Sequence, residues 1–383
     1  MEHTHAAIAA LALLAHPVSA QIRVSLELVA PTLAESSSVY ATGSHPALGN
    51  WNPAGLKLEH VAPHTWRATI TLDRPTSIEY KFTLGSWDRE AADSLGRPLA
   101  NANARITRDT TLSATIRDWM SGPRPRALNG QVTGALKYHR QVQAEGLAAR
   151  DLVVWLPPDY ERAPDRRYPV LYMLDGQNIF DPATSSFGTD WAIDETVDSL
   201  IRGGTIPPLI VVGVNNTSAR SAEYLPGGSL SAAHTSFVLR TVKPLIDATY
   251  RTRSEAASTW IGGSSAGGIA AFMLVWEHPD VFSRALAFSP AFQAPAGMST
   301  QFDYIQAVKS TPNAPSDARL YIDIGGIGLE DQLRPGIDAM LVALRALGIR
   351  DESHLRFLSE PTAEHNELAW RRRFPAALVW LLH

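Results

Sequence analysis

The chain has 383 residues, 45% of them hydrophobic and 19% charged, with a net charge of −4. This is enough for two domains with apolar cores and excludes a disordered polymer, while the scattered basic residues exclude nucleic acid as a main partner. Cysteine is absent, which excludes disulfides, thiol catalysis and cysteine-held zinc.

Residues 1–20 read as an export signal. An apolar segment, Ala6 to Ala15, precedes Val18-Ser19-Ala20, small residues where a signal peptidase reads, so the mature chain would begin at Gln21. The charged start is unusual, with Glu2, His3 and His5 but no Lys or Arg. The segment is too short for a stable membrane span and no later run is long enough for one. A periplasmic or secreted protein is the expectation.

Residues 21–117 are turn-rich and alternate polar with apolar. RVSLELVA, SSVYATG, TWRATITL, SIEYKFTLG and TLSATIR each read as strands, separated by HPALGNWNPAG, DRP and SLGRPLANANA. Several short strands in so little chain predict a smaller N-terminal all-β sandwich. Trp66 alternates with polar neighbours and is expected in its core, whereas Trp51 and Trp87 sit in turns. The stretches VYATGSHPALGNWNP, HTWRATITL and SIEYKFTLGSW resemble the starch-binding-domain family, carbohydrate-binding module family 20. That resemblance implies a glucan ligand, with tryptophan faces stacked on sugar rings, and makes Trp51 and Trp87 the positions for it. The family's Trp-rich second half is replaced here by DREAADSLGRPLANANARI.

Residues 118–128, DWMSGPRPRAL, hold two prolines, a glycine and no apolar period, and read as a linker. From 129 to 383 short apolar runs alternate with helical patterns. DLVVWLPP, YPVLYMLDG, LIVVGVNN, STWIGG, RALAFSP, RLYIDIGG and HLRFLSE look like buried strands. Helices are expected at Ala192 to Arg202, Ala232 to Ala248, Gly268 to His278, Gly336 to Leu347 and Glu367 to Leu382. This alternation predicts an α/β domain with a mostly parallel sheet. Arg371-Arg372-Arg373 reads as a solvated helix face.

Gly263-Ser264-Ser265-Ala266-Gly267 lies between a β-type run and the helical run Ile269 to Trp276. In that context G-x-S-x-G is a nucleophile elbow, with Ser265 at the strained apex. A serine needs a base, and the base needs an acid to hold its tautomer. Of the downstream histidines, His278 ends the elbow helix, His354 opens a strand and His383 is terminal. His365, in the loop PTAEHNE, is the expected base. The acid should follow RLYIDIGG: Glu330 is preferred, with Asp331 as the alternative and Asp323, inside the strand, as a third candidate. The oxyanion donors would be the N–H groups of Ala266 and of Gln177, which follows Gly176 in YPVLYMLDGQNIFD. Asp175 either braces that turn or is purely structural. No H-E-x-x-H, phosphate loop or dinucleotide fingerprint occurs, so neither a metal nor an organic cofactor is expected.

RDLVVWLPPDY, RYPVLYMLDGQNIFD, VVGVNNTSARSAEYLP, KPLIDATYRT, IGGSSAGGIA, LYIDIGG and EHNELAW together resemble the putative-esterase family of α/β-hydrolases. That family includes enterochelin, feruloyl and acetyl-xylan esterases, S-formylglutathione hydrolase and the mycolyltransferases. The resemblance implies an α/β-hydrolase fold, with Ser265 as nucleophile and His365 as base. The family's acid usually follows the glycine closely, and here Gly326 to Leu329 intervene. The expected protein is an exported serine carboxylic-ester hydrolase that acts through an acyl-enzyme, on a carbohydrate-linked or siderophore-type ester. Acyl transfer to a sugar hydroxyl, or carbohydrate binding with an inactive hydrolase domain, are the alternatives. The Ser185 to Trp191 and Thr217 to Ser229 segments are expected to wall the pocket.

Overall fold

The computed structural model describes residues 21–93, 98–99, 101–120, 132–295, 301–312, 314–315, 317–350 and 353–383. The expected export signal at 1–20 and residues 121–128 of the expected linker lie outside the described residues.

The N-terminal part is all β. Its strands are β1 (Ile22–Val29), β2 (Val39–Gly43), β3 (Leu56–Ala62), β4 (Thr65–Leu72), β5 (Thr76–Thr83), β6 (Ala91–Ala92), β7 (Ala102–Ile106), β8 (Thr110–Thr115) and β9 (Asp118–Trp119). A seven-stranded sheet runs β7-β5-β2-β3-β4-β1-β8, and β6 pairs with β9. Alternation does the work along β1, where Ile22, Val24, Leu26 and Leu28 turn inward onto Trp66, Ile78 and Phe82. Trp66 is buried, as expected. Because Asp118–Trp119 pairs with Ala91–Ala92, and Trp119 packs on the sandwich core, the expected linker starts later than residue 118.

Beyond it lies an eight-stranded mixed sheet in the order β10-β11-β13-β12-β14-β15-β16-β17. Its strands are β10 (Ala135–Ala144), β11 (Leu147–Leu156), β12 (Val170–Leu174), β13 (Ile210–Val214), β14 (Thr259–Ser264), β15 (Arg284–Phe288), β16 (Arg319–Ile324) and β17 (Leu355–Ser359). The β10–β11 and β11–β13 pairs are antiparallel and the rest parallel. Strand β10 was not expected, because ALKYHRQVQA is a half-exposed, polar edge strand with no apolar run to betray it.

The helices are α1 (Ile193–Arg202), α2 (Arg220–Tyr224), α3 (Ser231–Phe237), α4 (Lys243–Thr249), α5 (Ala266–Glu277), α6 (Ile305–Lys309), α7 (Leu329–Ala346) and α8 (Glu367–Leu382). They cover both faces of the sheet. On β12, Val170, Tyr172 and Leu174 join one core with α5 and α7, while Leu171 and Met173 join the other with α1 and α8. That is the α/β-hydrolase layering, sheet between two helical layers.

Two helices depart from expectation. The run expected as one helix over Ala232 to Ala248 is broken by a π-turn at Val238–Val242, just before Pro244, which has no N–H to continue the ladder. Helix α7 starts at Leu329 rather than Gly336 and carries through Pro335, forgoing one hydrogen bond near its start.

Candidate active site

Strand β14 ends at Ser264 and α5 begins at Ala266, leaving Ser265 alone at the bend with φ 56° and ψ −120°. A non-glycine residue there is strained, and the strain is held from both sides. The Ser265 N–H donates to Phe288 O at 2.9 Å, and its carbonyl accepts from Ala291 at 3.2 Å and Ile269 at 3.1 Å. Gly263 permits the bend, since a Cβ there would lie 2.7 Å from the Gly267 carbonyl carbon.

His365 sits directly before α8. Asn366 caps that helix, its side chain accepting from the Ala369 N–H at 3.0 Å, a bond worth about 1 kcal/mol. The cap fixes where the loop ends and so where His365 stands. Its Nδ1 lies 3.1 Å from Glu330 Oε1, and its ring meets Trp370 edge-on with centroids 5.0 Å apart. With Nδ1 engaged, Nε2 is the nitrogen free for proton transfer.

Glu330 is fully buried in the first turn of α7. It accepts from Ser289 Oγ at 2.7 Å and from the Gly325 N–H at 3.0 Å, besides facing His365. Burial alone would push this carboxyl up; His365, Ser289 and Gly325 outweigh it and hold Glu330 below the usual range, so it stays ionised. The other acid candidates fall elsewhere. Asp331 is exposed on the outer side of α7. Asp323 is fully buried behind the site, 2.8 Å from Arg373 Nε, and accepts from the Ser289 N–H at 2.9 Å. Burial pushes Asp323 up to about 7 even with Arg373 opposing it.

The sequence did not single out Ser289, Trp370 or Arg373. Ser289 Oγ donates to Glu330 and receives Trp370 Nε1 and Arg373 Nη2, each at 3.1 Å. The Arg371–Arg373 run is therefore not uniformly solvated: Arg373 is buried beneath the acid, because α8 lays that face against β15 and β16. The Phe288–Ala291 segment braces both ends of the site, clamping the elbow and hydrogen-bonding the acid. A small polar residue at the carboxyl end of a parallel strand, in RALAFSP, was the available signal.

Ala266 opens α5, so its N–H has no acceptor within the helix. Gln177 lies in a single 3₁₀ turn, Gly176–Asn178, in which only Asn178 N–H closes back, onto Asp175 O at 2.9 Å. Asp175, at φ 60°, is held by Arg220 at 2.8 and 2.7 Å and by Asn216, and Arg220 also reaches Ser264 O at 3.2 Å. Asp175 thus ties the turn that carries Gln177 to the end of the elbow strand.

Ser265, Ala266, His365, Gln177 and Glu367 line one cavity of about 1090 Å³. Ser186, Phe187 and the Thr217–Ala222 segment wall it, as the two expected wall segments require. Trp51 and Trp87 of the N-terminal domain line it too. Glu367 is buried at its base and accepts from Asn178 Nδ2 at 3.3 Å. Among the described residues, one acidic group could hold a metal: Asp190, Asp194 and Glu195, outside this cavity. No helix among the described residues is long and apolar enough to cross a membrane.

Residues 148–381 match the family described as putative esterase, and residues 21–93 match the starch binding domain. An endo-1,4-beta-xylanase/feruloyl esterase of Xylanibacter ruminicola is 28% identical over 227 residues, covering 57% of this chain and 27% of that protein. An amylopullulanase of Thermoanaerobacterium thermosulfurigenes is 30% identical over 92 residues, 22% of this chain and 5% of that protein. The chain therefore spans only a minor part of these curated relatives. Among solved structures, the enterobactin esterase of Shigella flexneri superposes with TM-score 0.54 at 15% identity, covering 94% of this chain and 93% of that one. A ferulic acid esterase superposes with TM-score 0.53 at 18% identity, over 66% of this chain and 98% of that one.

Proposed function

This chain belongs to the putative esterase family, and we propose that it is an exported serine carboxylic-ester hydrolase working through an acyl-enzyme on a carbohydrate-linked or siderophore-type ester. One observation carries the mechanism: the buried Glu330 hydrogen-bonds His365, which lines the same cavity as the strained Ser265. As Ser265 Oγ bonds to the acyl carbon, His365 Nε2 takes its proton. The Gln177 and Ala266 N–H groups receive the oxyanion, and Glu330 stabilises the imidazolium. Collapse breaks the bond to the alcohol oxygen, which leaves with the proton from His365. Water then repeats the sequence and frees the acid and Ser265.

The relatives named for feruloyl and enterobactin esters, together with the sandwich at the cavity, support the substrate class. The apolar run before Val18-Ser19-Ala20 supports export, and an amino terminus at Gln21 in the exported protein is the corresponding expectation.

The test is hydrolysis of 4-nitrophenyl acetate by the protein and by Ser265→Ala. A fall in kcat of about 10⁵-fold or more is expected. Equal rates would remove Ser265 as the nucleophile.

A further inference from the structure

Strand β5 is the anomaly of the sandwich. Ile78, Tyr80 and Phe82 enter the sandwich core, as one face of a strand should. Yet Glu79, Lys81 and Thr83, on the opposite face, are buried as well. The hydrolase domain packs against this face. Gln332 Nε2 of α7 donates to Ser77 O at 3.1 Å, and Lys81 Nζ stands 5.5 Å from the Phe187 ring.

The buried polar groups on that face differ in how they are satisfied. Lys81 is paired with Glu90 at 2.5 Å, and Thr83 Oγ1 donates to Pro53 O. Glu79 receives a single side-chain bond, from Asn101 Nδ2 to its Oε2 at 3.3 Å, and no cation within the described residues pairs with it. Glu79 lines the cavity that Ser265 and His365 also line. Oε1 is 3.6 Å from where a Cβ on Gly328 would stand, two residues before the acid Glu330. Burial above all raises this carboxyl, and the charge of His365 is the strongest opposing influence. With Gly328 beside it and the His365-bonded Glu330 two residues on, Glu79 stands on the His365 side of the cavity.

That side has a chemical meaning. The base returns its proton to the departing alcohol, so the alcohol half of an ester lies beside it. A carboxyl group with an oxygen left over can accept from a hydroxyl when ionised and donate to one when protonated. Asn101 stands beside it, and Asn50, Asn52, Trp51 and Trp87 line the same cavity with amide groups and aromatic surface.

We propose that Glu79, delivered by the sandwich domain, is a specificity-determining residue that hydrogen-bonds a hydroxyl on the alcohol half of the ester, so that the site selects esters of polyhydroxylated alcohols such as sugars. This rests on the serine-esterase reading above. The sandwich then serves as one wall of the hydrolase site.

The test compares glucose 6-acetate with 4-nitrophenyl acetate on the full-length protein, with Glu79→Leu and Glu79→Gln alongside the parent. The expected result is that Glu79→Leu lowers the ratio of kcat/KM for the sugar ester over the nitrophenyl ester about tenfold, mainly through KM. Glu79→Gln, which still donates and accepts, should restore the ratio to within about threefold. Should Glu79→Leu fail to fold, Glu79→Asp withdraws the carboxyl by one methylene and is expected to lower the same ratio. An unchanged ratio, an equal loss of kcat on both esters, or a parent that hydrolyses only the nitrophenyl ester would overturn the proposal. Retained turnover in Ser265→Ala would sink the serine reading instead. If neither ester turns over, calorimetric titration of glucose 6-acetate into Ser265→Ala, with and without Glu79→Leu, decides. Binding weakened about tenfold supports the proposal, and equal binding, or none in either protein, refutes it.

Discussion

The two walls of the cavity are built to different standards. On the hydrolase side, Glu330 faces Ser289, Gly325 and His365, and Ser289 Oγ is held in turn by Trp370 and Arg373. On the sandwich side, Glu79 has one amide contact, and Trp51 and Trp87 are half-buried. Bond-making needs side chains held to a fraction of an ångström, and a connected hydrogen-bond network around the acid provides that. Recognition needs groups whose remaining hydrogen-bond capacity a ligand can use. The same protein shows both around one cavity, and the difference separates positioning from selecting.

The sharpest way to break this comparison is at Glu330. Glu330→Gln keeps the shape but loses the charge opposite the imidazolium, and kcat on 4-nitrophenyl acetate should fall about 10³- to 10⁴-fold. Asp331→Asn, one residue along and exposed, should stay within about twofold. A comparable loss in both would mean the acid has been misassigned. Next comes the oxyanion turn. A Cβ on Gly176 would lie 2.4 Å from the Gly213 carbonyl carbon and 2.5 Å from Val214 N, backbone atoms that cannot step aside. Gly176→Ala must therefore displace the turn carrying the Gln177 N–H. A fall in kcat of about 10²-fold with little change in KM is expected in steady-state assays. Unaltered kcat would show that Gln177 is not a donor.

Much of the hydrolase wall was legible in the chain. Gly-x-Ser-x-Gly between a strand pattern and a helix pattern marks the elbow, and the loop position of His365 follows from what its rival histidines are doing. The acid was legible only as a short set, because the choice between adjacent carboxylates depends on which way α7 turns, and α7 begins earlier than the proline at 335 suggested. Ser289 and Arg373 were not legible, since their roles come from β15 and α8 meeting across the sheet. Glu79 was hidden for a different reason. Its strand alternates correctly for a sandwich, and only the docking of a second domain turns its outward face into an active-site wall.

The smallest expected effect tests a carboxyl on the hydrolase side that, unlike Glu330, receives a single side-chain bond. Glu367 is buried at the cavity floor, and burial above all pushes it up to about 8, with Asp175 adding to the shift and Arg220 opposing it. In the unfolded chain it titrates near the ordinary 4.5. Between those values the folded protein holds a proton that the unfolded chain releases, so this group makes stability fall as pH rises across the window. Glu367→Gln preserves the side-chain oxygen that Asn178 Nδ2 donates to, and removes the titration. Its melting temperature relative to the parent should therefore rise with pH, by about 3 °C between about pH 5 and pH 8.5, in thermal scans at matched ionic strength. Parallel pH profiles for the two proteins would mean that Glu367 is already ionised when folded, and that Arg220 compensates it more fully than its burial suggests.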